Sequence, residues 1–322
     1  MDNIVQEKLD TWLHTKNGKP KLILIYGPTA CGKSSLAVEI GKYLREAQDK
    51  EYEPFVISVD ARQIYKGLDI GTGKIQKEEM QGIPHLMLDI IDPSEVFSVV
   101  DYRNRVEKLE QWKNFVEGGN SLPILCGGTG LYIDSLIFER SYPEIEADWI
   151  LRKELEEFRI EHGNVALWQK LNEIDPEYAR ILHPNNYHYV MRGIEVMQQT
   201  GRSKLLHLDT PTLKYDTFFI TPYDGNRELL YNRINSRVEE MISNGLVDEV
   251  GYNINTFTSS APGLKTIGYK EVVDYLEGRT TLEATKDLVK QHNRNYAKRQ
   301  ITWNKKYDNR YYRTNQYGSE GK

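Results

Sequence analysis

Cysteine is scarce in this sequence: two among 322 residues, Cys31 and Cys126. Both sit beside glycines in stretches that read as buried turns, and nothing near them supplies the ligand spacing of a metal site. Long apolar runs are missing too. No stretch reaches the length that crosses a bilayer, and the opening residues, MDNIVQEKLD, have neither the basic start nor the apolar middle of a secretory signal. A globular protein of the reducing cytoplasm, without a membrane anchor, is the expectation. An excess of positive charge is also lacking. The formal net charge is −5, whereas a phosphate backbone rewards basic surface. The charge is unevenly placed, however: 144–161 is mainly acidic, while 290–306 holds seven Lys, Arg or His residues and no acid. Such a local patch can hold RNA on an acidic molecule.

What is present begins with a strand. Lys21 to Tyr26 (KLILIY) is apolar and ends in Gly27-Pro-Thr29-Ala-Cys-Gly32-Lys33-Ser34, the spacing GxxxxGK[ST]. Ser35 to Leu44 then reads as a helix, with Leu36, Ala37, Ile40 and Leu44 on one side. Strand, glycine loop and helix in that order make a phosphate cradle: backbone N–H groups converge on diphosphate oxygens and the helix N-terminus adds favourable potential. Lys33 reaches the outer phosphate and Ser34 can ligate Mg²⁺. A second strand, Phe55 to Val59, delivers Asp60 at its C-terminal end, where open parallel sheets place functional residues. A helix cap or a plain loop carboxylate is the other reading of Asp60. Gly67 to Gly73 (GLDIGTG) reads as a loop beside the pocket.

One further absence matters. Leu122 to Cys126 is the next buried strand, and a typical ATPase or GTPase carries a carboxylate at its end. Here Gly127, Gly128 and Thr129 follow instead, which counts against a motor or switch. Thr129 reads either as a donor to a phosphate or bridging oxygen, or as a cap of the next helix. Val99 to Val116 has the period of one amphipathic helix. Pro143 to Thr200 is helical and charged, broken at Gly163, Pro176 and Pro184, with Asp175 as a cap before Pro176. Thr217 to Ile220 returns to the sheet. Arg227 to Ser243 is a helix on which Arg227, Arg233 and Arg237 line up, Arg237 being read as solvated. Leu282 to Thr302 is a long helix with Arg294 and Lys298 on one face. That face suits an RNA backbone, with Tyr296 or Trp303 as stacking surfaces, and reads equally as a solvated helix.

Together these motifs resemble the tRNA dimethylallyltransferases, also called tRNA isopentenyltransferases, over almost the whole chain. The matching stretches are GPTACGKS (27–34), SVDARQIYKGLDIGTGK (58–74), IPHLMLDIIDP (83–93), FSVVDYR (97–103), PILCGGTGLY (123–132), IGYKE (267–271) and YAKRQITW (296–303). The resemblance implies an α/β fold, a P-loop-type parallel sheet flanked by helices, with an inserted all-helical subdomain. The expected division is an N-terminal extension at 1–20, a core at 21–132 and 201–310, a tRNA-binding insertion at 133–200 and a polar tail at 311–322. It implies Mg²⁺-dependent transfer of a dimethylallyl group from dimethylallyl diphosphate to N6 of adenine 37, beside the tRNA anticodon. The partners are then the diphosphate and the anticodon stem-loop, and the enzyme acts as a monomer without an obligate protein partner.

By motif, Asp60 looks like the general base, Thr129 like the residue steadying the departing diphosphate, and Lys33, Ser34 and Arg227 like diphosphate or Mg²⁺ contacts. Gly27, Thr29, Gly32, Gln63 and Arg233 join them on the substrate side. Arg192, Arg294, Lys298, Arg299 and Gln300 fall on the tRNA side. Three departures stand out: Leu86 follows His85 where the family has a second histidine, Asn186 to Tyr189 is aromatic or neutral where it has basic residues, and Asn293 replaces a common threonine. A small-molecule kinase using ATP, an adenylate prenyltransferase acting on free nucleotide, and a non-enzymatic RNA-binding module are the alternative classes.

Overall fold

The computed structural model describes residues 3–46, 52–139, 147–207 and 212–308; the expected tail, 311–322, lies outside them. In chain order the elements are α1 (Asn3–His14), β1 (Lys21–Ile25), α2 (Lys33–Glu46), β2 (Glu53–Ser58), β3 (His85–Leu86), α3 (Val99–Glu107), α4 (Glu110–Val116), β4 (Ser121–Cys126), α5 (Gly130–Ile137) and β5 (Phe138–Glu139). Then come α6 (Trp149–Ile174), α7 (Pro176–Arg180), α8 (Tyr187–Thr200), β6 (Thr212–Leu213), β7 (Asp216–Ile220), α9 (Arg227–Ser243), α10 (Leu246–Phe257), α11 (Tyr269–Leu276) and α12 (Leu282–Asp308). The chain divides into two compact units, Met1–Ile137 with Leu213–Lys322, and Phe138–Thr212. No described helix is long and apolar enough to cross a membrane.

The first unit is built on a parallel sheet of order β3-β2-β4-β1-β7. β1 is apolar and buried at successive positions, Leu22 to Ile25, because helices cover both faces of such a sheet. On one face Ala37, Ile40 and Leu44 of α2 pack with Ile23, Ile25, Val56 and Ile124. α1, to which the sequence reading gives no role, joins this cluster through Val5 and Leu9. Leu9 is fully buried, worth about 1.5–3 kcal/mol. The end of α1 is tied down where Trp12 Nε1 donates to Asp216 at 2.9 Å and Lys21 pairs with the same carboxylate at 3.0 Å.

Two helices differ from expectation. The single helix predicted over Val99–Val116 is two: a Ser98/Asp101 capping box starts α3, and Leu109, extended at φ −66° and ψ 135°, separates it from α4. The break lets Trp112 and Phe115 bury and leaves Val116 47% exposed, which one continuous helix with Leu109 and Val116 on its apolar face does not achieve. α12 runs past Thr302 to Asp308 because its last turns still have a core to meet. Asn304 and Tyr307 are buried, and the Tyr307 hydroxyl donates to the buried Asp134 at 2.7 Å.

The second unit packs α6, α7 and α8 around Leu167, Leu171, Tyr178, Val190 and Ile194. Gly163, at φ 85°, interrupts α6 where the sequence predicts a break, and Asp175 caps α7 ahead of Pro176 by accepting from Tyr178 N. At the unit's ends β5 and β6 form a separate two-stranded sheet.

Candidate active site

The register of the sheet brings the chemistry together. Ile25 lies opposite both Cys126 and Ile220, and Ser58 lies opposite Cys126, so β1, β2, β4 and β7 end in one row. The loops that follow leave from one edge, the edge at which parallel sheets bind ligands. The phosphate loop follows β1, Asp60 stands two residues past β2, and Thr129 stands three past β4. β2 and β4 stay close beyond their ends: Val59 N donates to Cys126 O at 2.9 Å and Thr129 N to Val59 O at 3.0 Å. Gly127 is what permits this, since a Cβ there would sit 2.6 Å from the Val59 carbonyl.

Thr129 Oγ1 accepts the Ala61 N–H at 2.9 Å. Its hydroxyl therefore braces the turn that holds Asp60, rather than capping α5. Asp60 Oδ1 accepts the Arg62 N–H at 2.8 Å, so the carboxylate shapes its own turn while lining two adjoining cavities. The larger, about 620 Å³, is polar and runs along Gly32, Lys33, Ser34 and Gln63. The smaller, about 370 Å³, has Ile234, Val238 and Met241 on one wall and Thr129 and Arg299 on others. Thr29, Asp60, Arg237 and Tyr296 border both. Lys33 starts α2 with its ammonium donating to Pro28 O at 2.7 Å. Gly27 is fixed by close approach, a Cβ there meeting Cys31 Sγ at 2.9 Å.

The arginines of α9 correct the sequence reading. Arg237, read as solvated, turns into both cavities, where Nη2 donates to Gly73 O at 3.3 Å. Burial lowers its pKa, and the nearby Asp60 charge works against that. A Cβ on Gly73, which sits at φ 57°, would lie 1.5 Å from Nη2, so a side chain there would push the guanidinium aside. Arg227 instead is exposed at the start of α9 and lines neither cavity. Arg233 is exposed beside Ala30 and Gly32 in a shallower recess. The signal for Arg237 was its place within the apolar stripe Ile234, Val238 and Met241, which faces inward.

The Gly67–Gly73 loop is pinned from behind. The Glu249 carboxylate accepts the N–H groups of Asp69, Ile70 and Gly71 at 3.0, 2.8 and 3.2 Å, and the buried Tyr269 hydroxyl donates to it at 2.5 Å. Gln63 Nε2 donates to Gly73 O from the cavity side, and Ser58 Oγ holds Gln63 by its oxygen. The IGYKE motif is thus explained by loop placement: Tyr269 packs against Gly71, and Glu271 accepts from Gly268 N at 2.6 Å.

The residues assigned to tRNA separate. Lys298 and Arg299 are exposed on α12, with Arg299 over the Tyr296 ring at 5.6 Å. Arg294 donates to Asn235 of α9 at 2.7 Å. Gln300 does not share that surface: it is 5% exposed and bonded inside the site. Burial pushes the Tyr296 hydroxyl up to about 12, the Asp60 charge adding to this and a Thr129 hydrogen bond opposing it, so it stays protonated at neutral pH. In the second unit Arg192 is ion-paired with the buried Glu195, which also holds Arg152.

The donor set fits Mg²⁺ carried by a diphosphate. Among the described residues no cluster of three or more His, Cys, Asp or Glu side chains forms a cage, and Mg²⁺ in phosphate sites takes one or two protein oxygens beside those of its substrate. Ser34, exposed on the polar cavity at the N-terminus of α2, offers one.

The model of the family described as IPP transferase matches residues 63–307. The chain belongs to that family. It is accordingly an enzyme, a transferase. The tRNA dimethylallyltransferase of Caldanaerobacter subterraneus subsp. tengcongensis is 42% identical over 298 residues, 89% of this chain and 90% of its own. Among solved structures, the full-length tRNA isopentenylpyrophosphate transferase of Bacillus halodurans matches with 40% identity and a TM-score of 0.62, covering 92% of this chain and 90% of the other. A eukaryotic dimethylallyltransferase acting on tRNA matches with 26% identity and a TM-score of 0.74, covering 91% and 73%. The family match at 63–307 thus spans the helical unit and parts of both stretches of the first unit.

Proposed function

We propose that the two cavities divide one reaction between them: a dimethylallyl diphosphate lies along the phosphate loop, and N6 of adenine 37 of tRNA meets its allylic carbon beside Asp60. Transfer of that group to the adenine next to the anticodon is the activity of the family to which the chain belongs. The observation that carries the assignment of residues is the shared border, where Asp60 and Arg237 line both cavities.

An exocyclic amine is a poor nucleophile because its lone pair is delocalised into the ring, so the allylic carbon must lose diphosphate with much positive charge already on it. Negative charge then grows on the leaving oxygens. Lys33, the phosphate-loop N–H groups, Thr129 and Arg237 stabilise it from fixed positions, in general the largest single catalytic contribution. Arg237 takes the role expected of Arg227. Asp60 accepts the amine proton as the N–C bond forms. Ser34 would hold Mg²⁺, and the ion would supply positive charge against the diphosphate. Lys298 and Arg299 meet the RNA backbone. The apolar wall of Ile234, Val238 and Met241 keeps water from the reacting carbon. The enzyme acts in the cytoplasm as a single chain.

Mass spectrometry of tRNA nucleosides after incubation with dimethylallyl diphosphate and Mg²⁺ tests this, with adenosine monophosphate as a parallel acceptor. Prenylated adenosine in tRNA is expected; product on free nucleotide alone rejects tRNA as the substrate. Asp60→Ala should lower turnover by at least about 10²-fold with donor affinity unchanged. A loss below tenfold removes Asp60 as the base.

A further inference from the structure

Gln300 lies on α12, the helix whose exposed side carries Lys298 and Arg299, yet its own side chain is buried and spans two loops. Its Oε1 accepts the Thr29 N–H at 2.8 Å and its Nε2 donates to Gly128 O at 3.1 Å. The first partner belongs to the phosphate loop after β1, the second to the glycine loop after β4, and the two strands are neighbours in the sheet. One loop leads to Lys33 and Ser34, the other to Thr129. The orientation of the carboxamide follows from its partners: an N–H needs the oxygen and a carbonyl needs the NH₂. A Cβ on Gly128 would lie 1.9 Å from Nε2, so a side chain there would displace the carboxamide.

From this we infer that Gln300 is a positioning residue for catalysis, a strut that sets the gap between the two loops so that Lys33 and Thr129 face one diphosphate. The inference rests on the transferase reading and adds to it a residue that the motif alone places with the RNA contacts. No other neutral-pH side chain of this length supplies a donor and an acceptor at fixed separation. Asparagine is one methylene short. Leucine keeps the bulk and loses both bonds. An ionised glutamate accepts from Thr29 but sets a carboxylate against the Gly128 carbonyl. A protonated glutamic acid matches glutamine: one oxygen accepts from Thr29 and the O–H donates to Gly128. A displacement of about 1 Å in a reacting group costs on the order of 10²-fold in rate.

The test compares full-length wild type with Gln300→Glu and Gln300→Leu. For each, kcat and KM with dimethylallyl diphosphate are measured from pH 5 to 9, tRNA affinity at two salt concentrations, and binding of inorganic diphosphate by calorimetry. Gln300→Leu should lose about 10²-fold in kcat while tRNA affinity and its salt slope stay at the wild-type values. Gln300→Glu should approach wild type as pH falls, in kcat and in diphosphate affinity alike. The change of the Gln300→Glu to wild-type ratio with pH is read on folded proteins, so the test holds even if Gln300→Leu fails to fold. A pH-independent ratio for Gln300→Glu, or a loss confined to tRNA affinity, overturns the inference. Should wild type itself prenylate no tRNA, the transferase reading fails, and the diphosphate titrations still decide the role of Gln300.

Discussion

At the scale of single residues, the site turns on which arginine of α9 faces inward. Arg227, Arg233 and Arg237 are alike in a sequence motif and unlike in the structure, where only Arg237 borders both cavities. Arg237→Ala should lower kcat by about 10²–10³-fold, the loss seen when one fixed donor is removed from developing negative charge. Arg227→Ala should stay within about threefold, both being read from steady-state transfer to tRNA. Equal losses would return Arg227 to the diphosphate. Lysine should restore Arg237 only in part, since an ammonium cannot serve Gly73 O and a phosphate with one planar fork. Lys33, Ser34, Asp60 and Thr129 were legible from the sequence because strand ends and glycine loops state their own geometry. Arg237 and Gln300 were not, because helix periodicity tells which side a residue is on but not that a polar side chain has partners there.

At the scale of elements, the Gly67–Gly73 loop shows how a glycine-rich segment is made rigid from outside itself. Three consecutive N–H groups point at Glu249, and Tyr269 seals the carboxylate from the other side. Glu249→Gln replaces one acceptor oxygen by an NH₂ that faces these N–H groups. It should cost about 1–3 kcal/mol of stability and lower kcat more than it raises KM, because Gly73 O, which receives Arg237, moves with the loop. Thermal melts and steady-state kinetics on the same variant check both, and unchanged kcat in a destabilised protein would make the loop a structural feature only. The core strands and the long helices α9 and α12 were readable from apolar pattern. α1 and α10 were not assigned: α1 is short and mostly polar, and α10 carries Gly251, Asn253 and Asn255 within its length, residues that favour turns until a neighbour such as the Gly67 carbonyl gives Asn253 a partner.

At the scale of the molecule, the chain makes one unit from two separated stretches and a second from the residues between them. The second carries its own buried charge. Glu195 is fully buried and accepts from Arg152, Arg192 and the Asp148 N–H. Burial alone raises the carboxyl pKa, but these donors outweigh it and leave it below the usual value. Stability from Glu195 is therefore fully present above the unfolded-state pKa and is lost as pH falls through the lower folded-state value. Glu195→Gln should destabilise this unit at pH 7 by about 3 kcal/mol, the low end for breaking a buried pair, since both guanidiniums keep some exposure. The difference should shrink on acidification, as followed by denaturant unfolding at pH 7 and pH 3; a constant difference would separate it from ionisation.

The last helix also orders events in time. α12 supplies Gln300 to loops that lie 271 and 172 residues earlier, and Tyr307 and Asp308 reach back to Asp134 and Tyr26. A ribosome releases the phosphate loop long before it releases the helix that braces it. The nascent chain must therefore carry an unfinished site until α12 has been synthesised, and competence arrives late rather than growing strand by strand.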